Sequence, residues 1–311
     1  MGIQLNLMLD TPLVSIIIRA KNEGKSLITL LPLLYAQKTA FPFEVLLFDN
    51  GSNDQTKETS QNYPQLKYNY IPNNSFHFSK SLNDAAKIGN GEILVHLSAH
   101  CFPSSYFWLQ QLTQPLVNDS SLIATYGRQF TDANVNSYEK QDWEELLFPK
   151  HGQPKIATFS NANGAIRKSY LLNHPFDETI PLLEDNLWYL EIPDKTKVIY
   201  IPQAELLHLH PLFNLKYYQP RWVKEGIAAV YMKKVKKMES PLTSFNKVNL
   251  LFDLRRVLSF FKMGLQMIKA GFVLYGLFAP AFFIIRDYSW MKGLKQGAEI
   301  FKVPPSQGGT F

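Results

Sequence analysis

In its first hundred residues the chain alternates short apolar runs with stretches of helical periodicity, and this alternation limits the possible fold more than any other feature. Val14-Ser15-Ile16-Ile17-Ile18 is mostly β-branched, too short for a helix, and ends in the polar turn Arg19-Ala20-Lys21-Asn22-Glu23-Gly24. Leu27, Leu30, Leu31 and Leu34 then recur at helical spacing up to Gln37, with Pro32 either kinking that helix or lying near its start. Residues 44–48 read as a second strand that stops at the tight turn Asp49-Asn50-Gly51-Ser52, and Asp54 can cap a helix over residues 55–62. A third strand is expected over residues 67–71, and a helix over 79–88 closes at Gly89-Asn90-Gly91. The fourth apolar run, Leu94-Val95-His96-Leu97, breaks off into Ser98-Ala99-His100-Cys101-Phe102-Pro103.

Strands alternating with helices in this order predict a mainly parallel α/β sheet with right-handed crossovers. In open parallel sheets ligands bind beyond the carboxyl ends of the strands. Residues 19–23, 49–52 and 98–100 are therefore expected to converge on one crevice. No dinucleotide-type glycine fingerprint follows the first strand and no phosphate-loop Gly-Lys-Ser/Thr occurs, which argues against the two commonest nucleotide folds.

The pattern then becomes less regular. A helix is expected over residues 106–117, a strand over 122–126, and a polar loop over 129–136 leading to a helix centred on Trp143. Phe159-Ser160-Asn161-Ala162-Asn163-Gly164-Ala165-Ile166-Arg167 reads as small and polar residues ahead of a short helix. Leu183-Glu184-Asp185-Asn186-Leu187-Trp188 sets adjacent carboxylates beside an aromatic ring, a pair whose titration burial and mutual repulsion can shift. Residues 198–201 and 205–209 look like two short strands, the second carrying His208 and followed by His210.

Composition adds bounds. With 46% hydrophobic residues, 311 positions bury a substantial core, and the single cysteine, Cys101, excludes an intramolecular disulfide and a cysteine-rich zinc site. The net charge of +6 hides an asymmetry: residues 211–311 hold 16 Lys and Arg against 5 Asp and Glu. Nucleic acid is a poor partner for this tail, because long apolar runs interrupt its lysines; an anionic membrane surface suits it better. The run over 270–285 is 16 apolar or small residues, short of the roughly 20 that span a bilayer. Interfacial or re-entrant helices are expected, with residues 1–240 as the catalytic-type domain and 241–311 as a helical, membrane-associating extension. The N-terminal residues lack the features of a secretory leader, so the expected location is cytoplasmic, peripheral to the inner face of the cell membrane.

The order of motifs resembles family 2 glycosyltransferases, most of all their rhamnosyltransferase-like members. The resemblance is carried by residues 14–23, by Phe48-Asp49-Asn50-Gly51-Ser52, Gly91-Glu92-Ile93-Leu94, Leu97-Ser98-Ala99-His100, Pro175-Phe176-Asp177-Glu178 and Glu184-Asp185-Asn186-Leu187-Trp188. It covers roughly residues 12–230 and implies a GT-A fold, a mixed but mainly parallel sheet flanked by helices, with a nucleotide-sugar donor, a glycan or lipid-linked acceptor and inverting transfer. By the same resemblance Ala20, Lys21, Asn22, Glu23 and Asp49 would hold base and ribose, the Asp49 carboxylate accepting from a base N–H. Asp185, beside Glu184, would be the general base. The family usually binds Mn²⁺ or Mg²⁺ through an Asp-x-Asp motif at the position of Ser98-Ala99-His100, where both carboxylates are missing here.

A leaving diphosphate needs positive charge. A divalent metal held partly by His100 and by His210 or His208 would supply it, or protonated histidine or Lys and Arg side chains would do so directly. Arg19 is a candidate in the nucleotide-sugar-binding set. Lys80 and Asn83 are further candidates on the donor side, with Asn50 and Ser52 beside Asp49. Asn161, Asn163, Gly164 and Trp188 are candidates on the acceptor side. The leading expectation is an inverting glycosyltransferase of cell-surface polysaccharide or O-antigen synthesis. The alternative is a non-catalytic nucleotide-sugar-binding or scaffold protein with a degenerate metal motif. A nucleotidyltransferase is a weaker third reading.

Overall fold

The structure is a computed structural model that describes residues 11–131, 144, 146–209, 214–238, 240, 261, 265, 268 and 273–302. Its eight strands are β1 (Val14–Ala20), β2 (Phe43–Asp49), β3 (Lys67–Tyr70), β4 (Ile93–Ser98), β5 (Cys101–Pro103), β6 (Ala124–Phe130), β7 (Asn163–Arg167) and β8 (Val198–His208). They form one sheet in the order β3-β2-β1-β4-β7-β6-β8-β5. The first four run parallel, β7 is antiparallel to β4 and β6, β8 is parallel to β6, and β5 is antiparallel to β8.

The apolar runs are continuous because β1, β2 and β4 are covered on both faces. Ile16, Ile18, Val45, Leu47, Val95 and Leu97 pack under α1 (Gly24–Tyr35) and α4 (Trp108–Asn118). Ile17, Leu46 and Leu94 face the other way, onto α3 (Phe78–Ile88) and the Phe159, Phe176 and Trp188 rings. Pro32 lies inside α1, and the short α2 (Thr56–Gln61) follows β2. The alternation of strand and helix seen in the first hundred residues is thus realised as a parallel core.

Beyond it, three expectations give way to a different arrangement. The 159–167 stretch contains β7, which enters the middle of the sheet in the opposite direction. Its small residues are required by packing: a Cβ on Gly164 would lie 2.4 Å from the Phe159 ring. The two short strands expected over 198–209 are a single strand, β8, continuous through Pro202. Its ladder with β6 is irregular between Gly127 and Gln129. The three-residue β5 was not foreseen, because Pro103 signals a stop and only pairing with β8 makes a strand of it. The helix expected around Trp143 lies outside the described residues.

Two more short helices, α5 (Lys168–Asn173) and α6 (Glu184–Glu191), precede β8, and α7 (Leu215–Val230) follows it and runs on into a π-helical turn at Tyr231–Val235. The last helix, α8 (Val273–Ile300), belongs to the stretch expected as an extension, yet it docks on α7. Gly226 and Gly293 let the two backbones touch: a Cβ on Gly293 would sit 2.1 Å from the Val223 carbonyl oxygen, and one on Gly226 would sit 2.3 Å from that of Trp290. Leu277, Phe278, Ile284 and Tyr288 of α8 are exposed. Among the described residues no helix is long and apolar enough to cross a membrane.

Because backbone atoms at the α7–α8 crossing cannot move aside, Gly293→Val is expected to lower the unfolding free energy by about 2 kcal/mol or more in urea melts.

Candidate active site

The three parallel-strand tips meet as the topology requires. Arg19 lies opposite Phe48 of β2 and Ser98 of β4, and Ala20 lies opposite Asp49. The loops that continue them are cross-bonded. The Asn22 N–H donates to Ser52 Oγ at 2.8 Å, and Asn22 Oδ1 accepts from the Asn53 N–H at 2.9 Å. Lys21 donates to the side chain of Asn73. Gly51 has a left-handed φ of 60°, and a Cβ there would lie 2.9 Å from the Asn73 side chain, so this tight turn needs its glycine.

Asp49, expected to accept from a nucleobase, is already engaged on both oxygens. Oδ1 accepts from the Ser52 N–H at 2.9 Å and the Ser52 hydroxyl at 2.5 Å, and Oδ2 accepts from the Tyr68 hydroxyl at 2.6 Å. The neighbouring Asn50 is also buried, and its Oδ1 has no hydrogen-bond partner among the described residues. Asp49 thus shapes the turn while its Oδ2, accepting a single bond, keeps a further lone pair.

Next to the β4 tip, His100 Nδ1 lies 2.7 Å from Glu23 Oε1, and the His100 ring stacks on His208 at a centroid distance of 5.2 Å. His208 Nδ1 is 2.8 Å from Gln129 Oε1. Ala99 is packed in the core, so only its backbone can face the crevice, while Ser98 is half-buried. His210 lies outside the described residues. No group of three or more His, Cys, Asp or Glu side chains among the described residues is placed to hold a metal ion. At Ser98-Ala99-His100 the described side chain able to ligate a metal is His100, whose Nδ1 is engaged with Glu23.

The second half of the site is the start of α6. Leu183, just before it, has a left-handed φ of 64°, a strained conformation for a leucine that turns the chain so that Glu184 and Asp185 face the β1 tip. Arg19 Nη1 donates to Glu184 Oε1 at 3.1 Å and to the Phe78 carbonyl at 3.1 Å, with its guanidinium over the Phe78 ring at 5.3 Å. Asp185 accepts from the backbone N–H of Asn161 at 3.0 Å and of Asn186 at 2.8 Å. It keeps part of its surface open but is closely surrounded by protein. Burial first, and then the Glu184 charge, push its pKa up to about 6, against the pull of the two N–H groups and Arg19. From α7, Arg221 pairs with Glu225 at 3.1 Å and lies near enough to feel the Asp185 charge, and Lys224 places its ammonium 5.6 Å from the Phe78 ring centre. A carboxylate poised near neutrality thus faces a crevice rimmed by cations.

The remaining expected residues are placed elsewhere. Lys80 pairs with Asp84 on the exposed face of α3. The Asn83 amide bonds the Phe176 backbone on both sides and Glu178, clasping residues 175–178. Asn163 joins the Trp108 indole to the Arg128 and Ala204 carbonyls inside the sheet, and Gly164 lies beneath Phe159. Trp188 is buried among Phe159, Tyr170 and Phe176, with its indole N–H on the His174 carbonyl. Of the four expected on the acceptor side, Asn161 alone bonds the carboxylate pair. Phe78, Tyr68 and His96 also shape the site and were not singled out from the sequence. For His96 a signal existed, since it is a polar residue in the middle of a buried strand.

The model of the glycosyl transferase family 2 matches residues 15–174. No curated protein matches the sequence. Among solved structures, the mannosyltransferase PcManGT from Pyrobaculum calidifontis in complex with GDP-Man and Mn2+ is similar over 95% of this chain and 88% of its own, at 15% identity and a TM-score of 0.55. S. aureus TarS 1-349 in complex with UDP-GlcNAc is similar over 93% of this chain and 91% of its own, at 16% identity and a TM-score of 0.54. The fold is that of these proteins.

The raised pKa of Asp185 sets a sign. The fold favours the protonated carboxyl, so its contribution to stability is complete below about pH 4 and is lost as pH rises through about 6. Asp185→Asn removes that dependence, and its stability relative to the native chain should rise by about 2 kcal/mol between pH 4 and pH 7 in urea melts. A difference independent of pH would contradict the assignment.

Proposed function

This chain belongs to glycosyl transferase family 2, and we propose that it moves a hexosyl or deoxyhexosyl group, with inversion, from a nucleotide-sugar donor to a glycan or lipid-linked acceptor in the synthesis of a cell-surface polysaccharide such as O-antigen. The observation that carries this reading is Asp185: a carboxylate at the crevice, its pKa pushed up to about 6, free above that pH to take the proton of an acceptor hydroxyl. Glu184, held in an ion pair with Arg19, supports it because its charge raises that pKa.

In this reading the loop over residues 19–23, with Asp49, Asn50 and Ser52, receives the nucleotide. The Asp49 carboxylate accepts from a base N–H while holding the turn, and Asn50, whose Oδ1 has no hydrogen-bond partner among the described residues, lies beside it. Arg19 and Lys21 provide positive charge toward the leaving diphosphate. The donors bound in the two similar structures are GDP-Man and UDP-GlcNAc, which supports a nucleoside-diphosphate sugar as the class of donor. The missing carboxylates at Ser98-Ala99-His100 favour a second reading, a protein that binds donor without turning it over.

Thermal shift against a panel of nucleotide sugars, with and without Mn²⁺, is expected to find a donor that raises the melting temperature, and Asp49→Ala to abolish that shift. With the same donor, Asp185→Asn is expected to reduce transfer by about a hundredfold or more while leaving the shift in place. Donor binding without any transfer or hydrolysis by the native chain would favour the second reading, and unaltered transfer by Asp185→Asn would remove Asp185 as the base.

We further propose that α8 meets the cytoplasmic face of a membrane with anionic lipids. Leu277, Phe278, Ile284 and Tyr288 are exposed on it, in the strongly basic part of the chain. The native chain should sediment with phosphatidylglycerol vesicles, less so in high salt, and not after Leu277→Asp with Phe278→Asp.

A further inference from the structure

His96 lies in the middle of β4, opposite Ile17 of β1 and Gly164 of β7, with no exposed surface. A leucine would fill such a place without burying a polar ring, so the imidazole calls for a reason. Its Nδ1 is 2.8 Å from Oδ1 of Asn161, which is itself buried, and its Nε2 has no hydrogen-bond partner among the described residues. The histidine therefore has one engaged nitrogen and one that is left over.

Which nitrogen carries hydrogen follows from the far side of Asn161. The Asn161 Nδ2 donates to Glu184 Oε1 at 3.2 Å. A carboxylate paired with Arg19 only accepts, so the amide nitrogen must face Glu184 and the amide oxygen must face His96. An amide oxygen also only accepts. The hydrogen therefore sits on Nδ1, and the orphaned Nε2 is a bare lone pair. Burial, with a smaller push from the Arg19 charge and against the Asn161 bond, lowers the His96 pKa to about 4, so the ring is neutral at ordinary pH.

Asn161 thereby meets both carboxylates at once, Glu184 through Nδ2 and Asp185 through its backbone N–H at 3.0 Å. The groups facing Asp185 are Glu184 on its own helix, Arg19 from β1, Arg221 from α7, and the Asn161 and Asn186 amides. We propose that His96 and Asn161 are positioning residues for the reaction: His96, held as the neutral Nδ1–H tautomer, locks the Asn161 carboxamide, and Asn161 aims the Glu184–Asp185 pair. The proposal rests on Asp185 as the general base. His96 makes no contact with substrate in this scheme and acts through Asn161 alone.

The test has two arms. In protein labelled with ¹⁵N-histidine, multiple-bond ¹H–¹⁵N spectra of the native chain, with His96 assigned by its loss in His96→Asn, are expected to show a neutral Nδ1–H ring from pH 8 down to pH 5. An Nε2–H tautomer, or an imidazolium at pH 6, overturns the proposal whether or not any sugar donor is known. In the second arm, donor hydrolysis and transfer are followed for His96→Leu and His96→Asn. The leucine variant should lose kcat by about tenfold or more with the donor KM unchanged within about twofold, as displacement of a positioned base requires. The asparagine variant, whose amide nitrogen falls near the Nδ1 position, should recover most of the loss. Wild-type kcat in the leucine variant, or a melting temperature that falls with no change in kcat, overturns positioning. If the native chain itself neither hydrolyses nor transfers, the glycosyltransferase reading fails, and the spectra still decide the tautomer and the wiring.

Discussion

The ion pair between Arg19 and Glu184 is the contact on which the site depends. It joins the tip of the first strand to the start of α6, 165 positions later, at 3.1 Å, and both side chains are largely withdrawn from water. Breaking such a pair by removing one partner leaves a buried charge without compensation, an effect of about 3–5 kcal/mol. Further bonds from Phe78 and Asn161 reduce the desolvation penalty on both ions. Leu183, immediately before Glu184, has a left-handed φ of 64°. Asp185 owes its position to this assembly and its raised pKa to the burial and the neighbouring Glu184 charge that come with it.

The opposite side of the crevice is organised by short polar bonds between loops rather than by apolar packing. Glu23 with His100, Asn22 with Ser52, and Asp49 with Ser52 and Tyr68 tie three strand tips together, and each bond fixes a loop that sequence would leave mobile. Beside these bonds the buried Asn50 Oδ1 has no hydrogen-bond partner among the described residues. His100, standing where a metal-binding carboxylate is usual in resembling proteins, is committed to Glu23 in this state.

The parallel half of the sheet was legible because its strands obey simple rules. Val14 to Ile18 and Leu94 to Leu97 are short, apolar and followed by turn residues, and helices with a clear period lie between them. The second half was not, since the strand residues there are chosen for contacts invisible along the chain. Asn163-Gly164-Ala165 reads as a turn, yet it forms a strand because Phe159 presses on Gly164 and because Asn163 bonds Trp108, Arg128 and Ala204 inside the sheet. Trp188, a motif residue, and Asn83, from the helix before the fourth strand, hold the core and the 175–178 segment. Adjacency in sequence says which residues share a neighbourhood, and only packing says which way each side chain points.

The kind of sheet, the crevice at its strand tips, and the family to which Asp49, Ser98-Ala99-His100 and Glu184-Asp185 point are written along the chain, because periodicity and ordered motifs are local properties. Tertiary structure decided what those residues do to one another. It tied Asp49 to Ser52 and Tyr68, set His100 against Glu23 and His208, and linked His96 through Asn161 to the carboxylate pair. Hydrogen bonds and charge effects act over a few ångströms in space, between residues tens to more than a hundred positions apart. The pKa of Asp185 is the clearest case: the neighbouring Glu184 charge is written in the sequence, but the burial that raises the pKa most and the Arg19 charge that opposes it come only with the fold.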